Sequence, residues 1–329
     1  MGGQGRLRVG VAGVGHFGRY HALKLAAAAR AVLAGVTDRD PERARAVGWE
    51  VGAPALGFAE LLAACDALVI AAPAEAHHGL AMAALEAGRH VLVEKPIAAS
   101  LAEADEMART AQARGLVLQV GHLERFSAAH GALAGRMGRP LYLEAVRIAP
   151  FKPRGTDVSV ILDLMIHDLD LVLALTDSAL ESVDAVGAAV SSAHEDIANA
   201  RLRFANGAVA TVTASRISLK TERRMRIFSQ ESYLAVDFLA RRLTLIGRGR
   251  GLPLPGVEGF GIEEAGWEEQ DALAAEIDAF LAAVLDHAPV AVDAAAGRRA
   301  LEAALAISRS MAASRDRALA SGLLHAISV

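Results

Sequence analysis

A glycine motif near the amino end of the chain has the residue types and the spacing of a dinucleotide site. Gly13, Gly15 and Gly18 follow the pattern G-x-G-x-x-G, directly after a predicted strand and at the start of a predicted helix. Glycines at these positions allow a tight turn and let the backbone approach a pyrophosphate, which the helix amino end stabilises. His16 and Phe17 lie within the motif and are counted with the predicted cofactor site.

An acidic residue follows at the distance expected for a ribose contact. The next predicted strand ends in Asp38, twenty residues after Gly18. A carboxylate there accepts hydrogen bonds from ribose hydroxyls and repels a 2′-phosphate, which favours NAD over NADP. Arg39 could pair with that phosphate instead, so NADP stays open as an alternative. A glycine-rich turn without a ligand is the structural alternative.

A lysine at the end of another predicted strand could contact a substrate. The stretch HVLVEKP ends with Glu94, Lys95 and Pro96, at the carboxyl edge where doubly wound sheets bind ligands. Proline holds the preceding residue extended and permits a cis peptide bond. Lys95 could hydrogen-bond a substrate hydroxyl and stabilise developing alkoxide charge. An ordinary ion pair before a turn is the alternative.

A strongly apolar run, ILDLMIHDLDLVLAL over 161–175, carries three aspartates and a histidine. On an α-helix, Asp163, His167 and Asp170 fall within about 60° of one another, whereas Asp168 points away and has no assigned role. Such a helix is expected to be buried on most sides. Its polar stripe then faces either a satisfied polar network or a cavity.

The elements that position these residues change in type along the chain. In the first 120 residues, short apolar runs alternate with alanine-rich helical stretches, which predicts βαβ units and a parallel sheet. The predicted strands cover 7–13, 31–38, 67–73, 90–95 and 116–122, and the helix over 100–115 is capped by Ser100 and Gly115.

Beyond residue 140, alternating strands with short turns predict an antiparallel sheet, with a hairpin turn at 205–207. A loop is predicted over 247–261, followed by helices around 268–286 and 294–314. The predicted fold is α/β: a Rossmann doubly wound parallel sheet over 1–122, then an α+β domain over 123–329 with a mostly antiparallel sheet.

Composition limits the class of protein. A chain of 329 residues favours two domains, and 53% hydrophobic with 22% charged residues is typical of a globular protein. The net charge of −4, without a long basic block, argues against a nucleic-acid surface. Cys65, the single cysteine, is expected to be core filler. No signal peptide, membrane span or metal site is expected, which favours a cytoplasmic location.

Three segments together resemble one enzyme family. GVAGVGHFG, AAPAEAHHGLAMAALEAGRHVLVEKPIA and DLMIHDLD, in this order and at these separations, are similar to the motifs of the Gfo/Idh/MocA oxidoreductases, which act on sugars and polyols with a nicotinamide cofactor. The resemblance covers nearly the whole chain. It implies a Rossmann domain over 1–122, a substrate-binding and oligomerisation domain over 123–329 built on an open, mostly antiparallel sheet, and a homodimer or homotetramer formed through that sheet.

The resemblance also implies roles for individual residues. Ala72, Pro73 and His77 lie near the cofactor, although Ala72 replaces the threonine usual in the family. His167 is implied as general base for an alcohol proton, and Asp163 as the residue that orients substrate or His167. Lys95 is implied as the hydroxyl anchor, and which of Lys95 and His167 first takes the proton is left open.

The substrate is the least specific part of the resemblance. RGTDVSVILDLMIHDLD, which includes Asp157, and VGHLERFSAAH look most like the branch that oxidises UDP-N-acetylglucosamine at C3 for lipid A synthesis. Ser127 and Ala128 depart from that branch. Arg125, Lys152 and Arg154 are candidate diphosphate contacts, because guanidinium groups suit phosphate oxygens, or they are solvated loop charges. A dehydrogenase for inositol or a free sugar and a non-catalytic nucleotide-binding sensor are the alternative functions.

Overall fold

The computed structural model describes residues 5–133, 136, 138–152 and 158–323. The chain forms two compact units, of which the first joins Met1–Ser127 with Asp271–Leu301 and the second joins Ala128–Gln270 with Glu302–Val329. This division differs from the predicted one, which places every residue after 122 in the second domain.

A parallel sheet forms the centre of the first unit. Its strands are β1 (Leu7–Ala12), β2 (Ala31–Thr37), β3 (Ala67–Ile70), β4 (His90–Glu94) and β5 (Leu118–Gly121). They pair in the order β2-β1-β3-β4-β5, and every pairing is parallel. The strands are rich in valine, leucine and isoleucine because helices cover both faces of such a sheet. The predicted Rossmann sheet is confirmed.

Five helices connect these strands, two of them in succession between β2 and β3: α1 (His16–Ala27), α2 (Pro41–Val51), α3 (Phe58–Ala64), α4 (Ala74–Glu86) and α5 (Leu101–Arg114). The predicted caps of α5 are confirmed, since Ser100 accepts a hydrogen bond from the N–H of Glu103 and Gly115 adopts a left-handed conformation. Helix α3 was not predicted from the sequence.

The second unit contains a nine-stranded sheet, mostly antiparallel as predicted. Its elements are α6 (Ala128–Leu133), β6 (Pro140–Ile148), α7 (Ile166–Thr176), β7 (Leu180–Ala188), β8 (Ile197–Phe204), β9 (Val209–Ser215), β10 (Glu222–Ser229), β11 (Ser232–Asp237), β12 (Arg242–Arg248), β13 (Leu252–Pro253) and β14 (Phe260–Gly266). The strand order is β13-β14-β12-β11-β10-β6-β9-β8-β7, with β6 and β9 parallel. The predicted hairpin turn at 205–207 joins β8 and β9.

The loop predicted over 247–261 was partly wrong. The segment contains the end of β12, all of β13 and the start of β14. Its glycines allow close backbone packing as well as turns: a Cβ on Gly261 would lie 1.7 Å from the carbonyl oxygen of Arg250. The high glycine content therefore marks a tight strand connection.

The last two helices are α8 (Ala272–Leu285) and α9 (Ala294–Ala320). Apolar side chains of α8, including Leu273, Ile277 and Phe280, belong to the same hydrophobic core as β1 and α1. This packing explains why Asp271–Leu301 joins the first unit. Among the helices that the structure describes, none combines the length and the hydrophobicity needed to cross a membrane.

Candidate functional site

The turn between β1 and α1 has the geometry of a nucleotide-binding loop. Gly13 has φ +83°, and a Cβ there would lie 2.7 Å from the backbone nitrogen of Ala72. A Cβ on Gly18 would lie 1.8 Å from the carbonyl oxygen of Gly13. Gly15 differs from both, since its Cβ would meet no atom within 4 Å. Gly13 and Gly18 are therefore required by the turn itself, and Gly15 leaves open space beside it.

Asp38, at the end of β2, holds this loop. Its Oδ2 accepts a hydrogen bond from the N–H of Val14 at 2.8 Å, and its Oδ1 accepts one from the N–H of Asp40 at 2.9 Å. Arg43 lies 3.4 Å from Oδ1. The sequence predicted a ribose contact for Asp38 and did not predict that the carboxylate would also position the glycine loop.

A cavity of about 1160 Å³ opens beside the loop within the first unit. This volume is slightly above the usual range of about 300–1,000 Å³ for small-molecule sites. Six of the predicted cofactor residues line it, namely Gly13, Gly15, Asp38, Arg39, Ala72 and Pro73. His16 and Phe17 are exposed on the first turn of α1, and Gly18 is buried behind them. The cavity brings together the glycine loop, the acid after β2 and the segment after β3.

His77, on α4, connects two segments near this cavity. Its Nε2 lies 2.8 Å from the carbonyl oxygen of Ala72, and its Nδ1 lies 2.8 Å from the carbonyl oxygen of Pro96. The ring is buried. His77 therefore fixes the backbone of a cavity-lining residue and the backbone that follows Lys95.

Glu94 and Lys95 lie where β4 ends and differ in burial. Lys95 is half-buried, and the Lys95–Pro96 peptide bond is cis. Glu94 is buried, and its Oε1 accepts a hydrogen bond from Nε2 of His21 at 2.7 Å. The role of Glu94 as a cofactor contact stays a prediction, and the structure places its carboxylate against α1.

The polar stripe of the second unit lies partly on a π-helix. Ile161–Met165 has π-helical geometry, and α7 begins only at Ile166. The predicted single α-helix over 161–175 was therefore wrong in its first turn, because a π-helical turn is wider than an α-helical one. Asp163 and His167 are half-buried, whereas Asp168 and Asp170 are buried. Such π-helical segments are frequent at functional sites.

Asp168 has a clear structural partner that the sequence did not indicate. Nε of Arg147, on β6, donates to Asp168 Oδ2 at 2.7 Å, and Nη2 donates to Oδ1 at 2.9 Å. Both side chains are largely buried. This bidentate ion pair fixes the start of α7 on the sheet.

A second buried ion pair contacts the backbone just before the π-helix. Nε of Arg216 donates to Asp196 Oδ1 at 2.8 Å, and Nη1 of Arg216 donates to the carbonyl oxygen of Val158 at 2.8 Å. Burial alone would raise the pKa of Asp196, but the N–H groups of Ser191 and Val190 and the Arg216 guanidinium outweigh it and depress that pKa. The charged form of Asp196 is thus held beside the segment leading to Asp163.

The predicted diphosphate contacts belong to different units or lie outside the described residues. Arg125 is half-buried on a short 3-10 helix, Leu123–Phe126, in the first unit. Lys152 is exposed in the second unit. Arg154 and Asp157 lie outside the described residues. Their contacts with a substrate stay predictions.

Comparison with known proteins identifies relatives over nearly the whole chain. Residues 7–122 match the model of an oxidoreductase family with an NAD-binding Rossmann fold, and residues 129–235 match the Gfo/Idh/MocA C-terminal domain. A UDP-N-acetylglucosamine 3-dehydrogenase of Acidithiobacillus ferrooxidans is 47% identical, with 92% of this chain and 96% of that protein covered.

A solved structure and a more distant relative also match this chain over most of its length. A crystal form of the Acidithiobacillus ferrooxidans enzyme superposes with a TM-score of 0.88 at 46% identity, covering 94% of this chain and 98% of that one. A myo-inositol 2-dehydrogenase of Thermotoga maritima is 25% identical, with 94% of this chain and 98% of that protein covered. Similarity is thus greater to the nucleotide-sugar enzyme than to this inositol enzyme.

Proposed function

Because the chain belongs to the Gfo/Idh/MocA family of oxidoreductases with an NAD-binding Rossmann fold, we propose that it oxidises UDP-N-acetylglucosamine at C3 to the 3-keto sugar. The observation that supports this substrate assignment is the 47% identity to the Acidithiobacillus ferrooxidans 3-dehydrogenase over 92% of this chain. The 3-keto product would serve a transamination step in lipid A precursor synthesis. The cytoplasmic location stays a prediction.

The cavity beside the glycine loop fits a dinucleotide. The loop offers backbone N–H groups and open space at Gly15 for a pyrophosphate, and α1 begins at the next residue. The Asp38 carboxylate lines the cavity where it disfavours a 2′-phosphate, which favours NAD over NADP. A bound nicotinamide cofactor supplies the two-electron acceptor for the alcohol. The residues that we assign to its binding are Gly13, Gly15, His16, Phe17, Gly18, Asp38, Arg39, Ala72, Pro73, His77, Glu94 and Lys95.

In this proposal, Lys95, His167 and Asp163 act on the sugar hydroxyl that is oxidised. Lys95 hydrogen-bonds the hydroxyl and stabilises negative charge on its oxygen. His167 accepts the hydroxyl proton as general base, and Asp163 favours the resulting imidazolium through its negative charge. Both Asp163 and His167 are half-buried, so that a ligand can reach them. Arg125, Lys152 and Arg154 contact the diphosphate in this proposal.

The open face of the second sheet is the proposed surface for self-association. Tyr142, Phe228 and Tyr233 form an aromatic cluster across three adjacent strands, with ring centroids 5.7 Å and 4.9 Å apart. Phe228 is 38% exposed. Aromatic residues are enriched at protein interfaces, which supports a homodimer or homotetramer formed through this face.

The substrate is tested by comparing initial rates of NAD reduction with UDP-N-acetylglucosamine, free N-acetylglucosamine and myo-inositol. We expect turnover with the nucleotide sugar and little with the other two. Turnover on myo-inositol without turnover on the nucleotide sugar would refute the substrate and favour an inositol dehydrogenase. NAD binding without turnover of any of the three would favour a non-catalytic sensor.

A further inference from the structure

Three polar side chains from separate elements of the first unit meet in its interior. His21 lies on α1, Glu94 at the end of β4, and Glu276 in the middle of α8. One nitrogen or oxygen atom from each side chain lies within 4.8 Å of the others. His21 and Glu276 have no exposed surface, and Glu94 is 9% exposed. We call these three residues the buried acid cluster.

Glu94 is held firmly in this cluster. Because a carboxylate oxygen only accepts, the hydrogen between His21 and Glu94 is on Nε2 of the ring. The Glu94 carboxyl also packs against the backbone of β5, where a Cβ on Gly121 would lie 3.0 Å from the Glu94 Cδ. The position of Glu94 is therefore coupled to α1 and to β5 at the point where the chain continues into Lys95.

Glu276 lacks the partners that a buried carboxylate requires. Among the residues that the structure describes, no donor reaches either of its carboxyl oxygens. Its neighbours along α8, Leu273, Ile277 and Phe280, belong to the hydrophobic core. Burial, and then the nearby Glu94 carboxylate, raise the pKa of Glu276 well above its ordinary value. Ionising this group would leave two carboxylates close together in a medium of low dielectric constant.

We propose that Glu276 is a neutral carboxylic acid in the folded protein, that its proton is directed at Glu94, and that Glu276 is thereby a positioning residue for Lys95. Protonation converts Glu276 from an acceptor without donors into a donor, with one of its carboxyl oxygens within 4.8 Å of an oxygen of the acceptor Glu94. Glu94 is then bound by His21 on one side and Glu276 on the other. The positioning role rests on the function proposed above, whereas the protonation does not.

A divalent cation is the other way to neutralise two buried carboxylates. A cation bound through Nε2 of His21 would displace the hydrogen that this nitrogen shares with Glu94, because a ligating nitrogen must be deprotonated. A proton on Glu276 leaves that hydrogen bond intact. The other ionisable groups on the elements around the cluster are His16, Arg19, Tyr20 and Lys24 on α1, His90 on β4, Lys95 and His122 after β4 and β5, Glu124 and Arg125 on the 3-10 helix, and Asp271, Asp278 and Asp286 in or beside α8.

The protonation is tested by urea unfolding of the wild type and Glu276→Gln between pH 5 and pH 8. A group whose pKa is raised by folding stabilises the protein below its unfolded pKa, and this stabilisation is lost as pH rises. The wild-type unfolding constant is therefore expected to increase by up to about tenfold per pH unit relative to that of Glu276→Gln. Asp278→Asn, at an exposed position of the same helix, is the matched control and should show no such difference.

A constant ratio of the two unfolding constants over this pH range would overturn the protonation. So would a stoichiometric metal ion in the purified protein, detected by elemental analysis. Infrared spectra give a second reading: the carbonyl stretch of a protonated carboxyl group is expected in the wild type and absent from Glu276→Gln. A wild-type spectrum without that band would contradict the proposal.

The positioning role is tested with the sugar that the wild type oxidises in the substrate comparison. Glu276→Gln keeps a donor and is expected to retain turnover, whereas Glu276→Leu, which lacks one, should lower kcat/KM for the sugar by roughly 10- to 100-fold. The Kd for NAD should stay the same in Glu276→Gln, and in Glu276→Leu it should rise less than kcat/KM falls, because Glu94 and Lys95 are only two of the residues assigned to the cofactor. Full turnover by a folded Glu276→Leu variant would refute the positioning role. If no sugar is oxidised, the proposed function fails and the unfolding experiment still decides the protonation.

Discussion

The different surroundings of Gly15 and Gly18 predict different effects of the same substitution. A methyl group at Gly15 meets no protein atom within 4 Å, and its φ of −63° suits alanine. Gly15→Ala should therefore cost at most about 1 kcal/mol of folding free energy, the scale of a lost N-cap preference. The methyl group instead occupies the space assigned to the pyrophosphate. An overpacking cost of about 1–3 kcal/mol there corresponds to a roughly 5- to 150-fold increase in the Kd for NAD.

Gly18→Ala should act through the fold. Its methyl group would lie 1.8 Å from the carbonyl oxygen of Gly13, and no side-chain rotation relieves a contact with backbone. The loop must move, so we expect a loss of about 1–3 kcal/mol of folding free energy in addition to weaker NAD binding. Gly131→Ala, in the second unit and with no atom within 4 Å of the added methyl group, is the matched control.

Isothermal titration calorimetry with NAD and urea unfolding separate these two effects. For Gly15→Ala, the Kd should rise with little change in the unfolding midpoint, and for Gly18→Ala both should change. An unchanged Kd for Gly15→Ala would refute the placement of the pyrophosphate at this loop. An unchanged midpoint for Gly18→Ala would mean that the turn is less tightly packed than its distances indicate.

Three further substitutions test the second unit. His167→Ala should lower kcat by roughly 100-fold or more with the Kd for NAD unchanged, and an unchanged kcat would make His167 structural. Asp168→Leu should lower the free energy of unfolding, measured in urea, by about 3–5 kcal/mol, because the charge of Arg147 stays buried. Adding Arg147→Met should restore most of that free energy. If the double variant is no more stable, the ion pair is not the cause of the loss. Asp196→Asn should destabilise the protein at pH 7. Because folding depresses the pKa of Asp196, the ionised carboxylate stabilises the folded protein at pH values above the pKa of the same group in the unfolded chain. The difference in unfolding free energy between the wild type and the variant should therefore shrink as pH falls below about 4. A difference that is the same at pH 3 and pH 7 would contradict this.

Features encoded locally in the sequence were predictable from it. The glycine loop is one, because Gly13, Gly15 and Gly18 act within a single turn and Asp38 follows at the end of the next strand. The five parallel strands and the hairpin around Gly207 are others, since apolar periodicity and turn residues determine them. The role of His167, in contrast, rests on the family resemblance and stays a prediction.

Features that depend on distant packing were not predictable in this way. Arg147 precedes Asp168 by 21 positions, and the two meet only because the register of β6 places the guanidinium at the start of α7. The π-helix over Ile161–Met165 has no compositional signal in an apolar run, so a helix of regular 100° steps was assumed. Glu276 likewise looks like one polar residue on an amphipathic helix until α8 is packed against His21 and Glu94.

The two buried ion pairs of the second unit act on the same short segment from opposite ends. Arg216 holds the carbonyl oxygen of Val158, ahead of Asp163, and Arg147 holds Asp168, directly after His167. Each guanidinium donates in a fixed geometry, and few other arrangements satisfy a buried charge. The segment that carries Asp163 and His167 is thus restrained at both ends while those two side chains stay half-buried. Residues with proposed roles in proton transfer need this arrangement, because their geometry is set by supporting contacts rather than by the reacting groups alone.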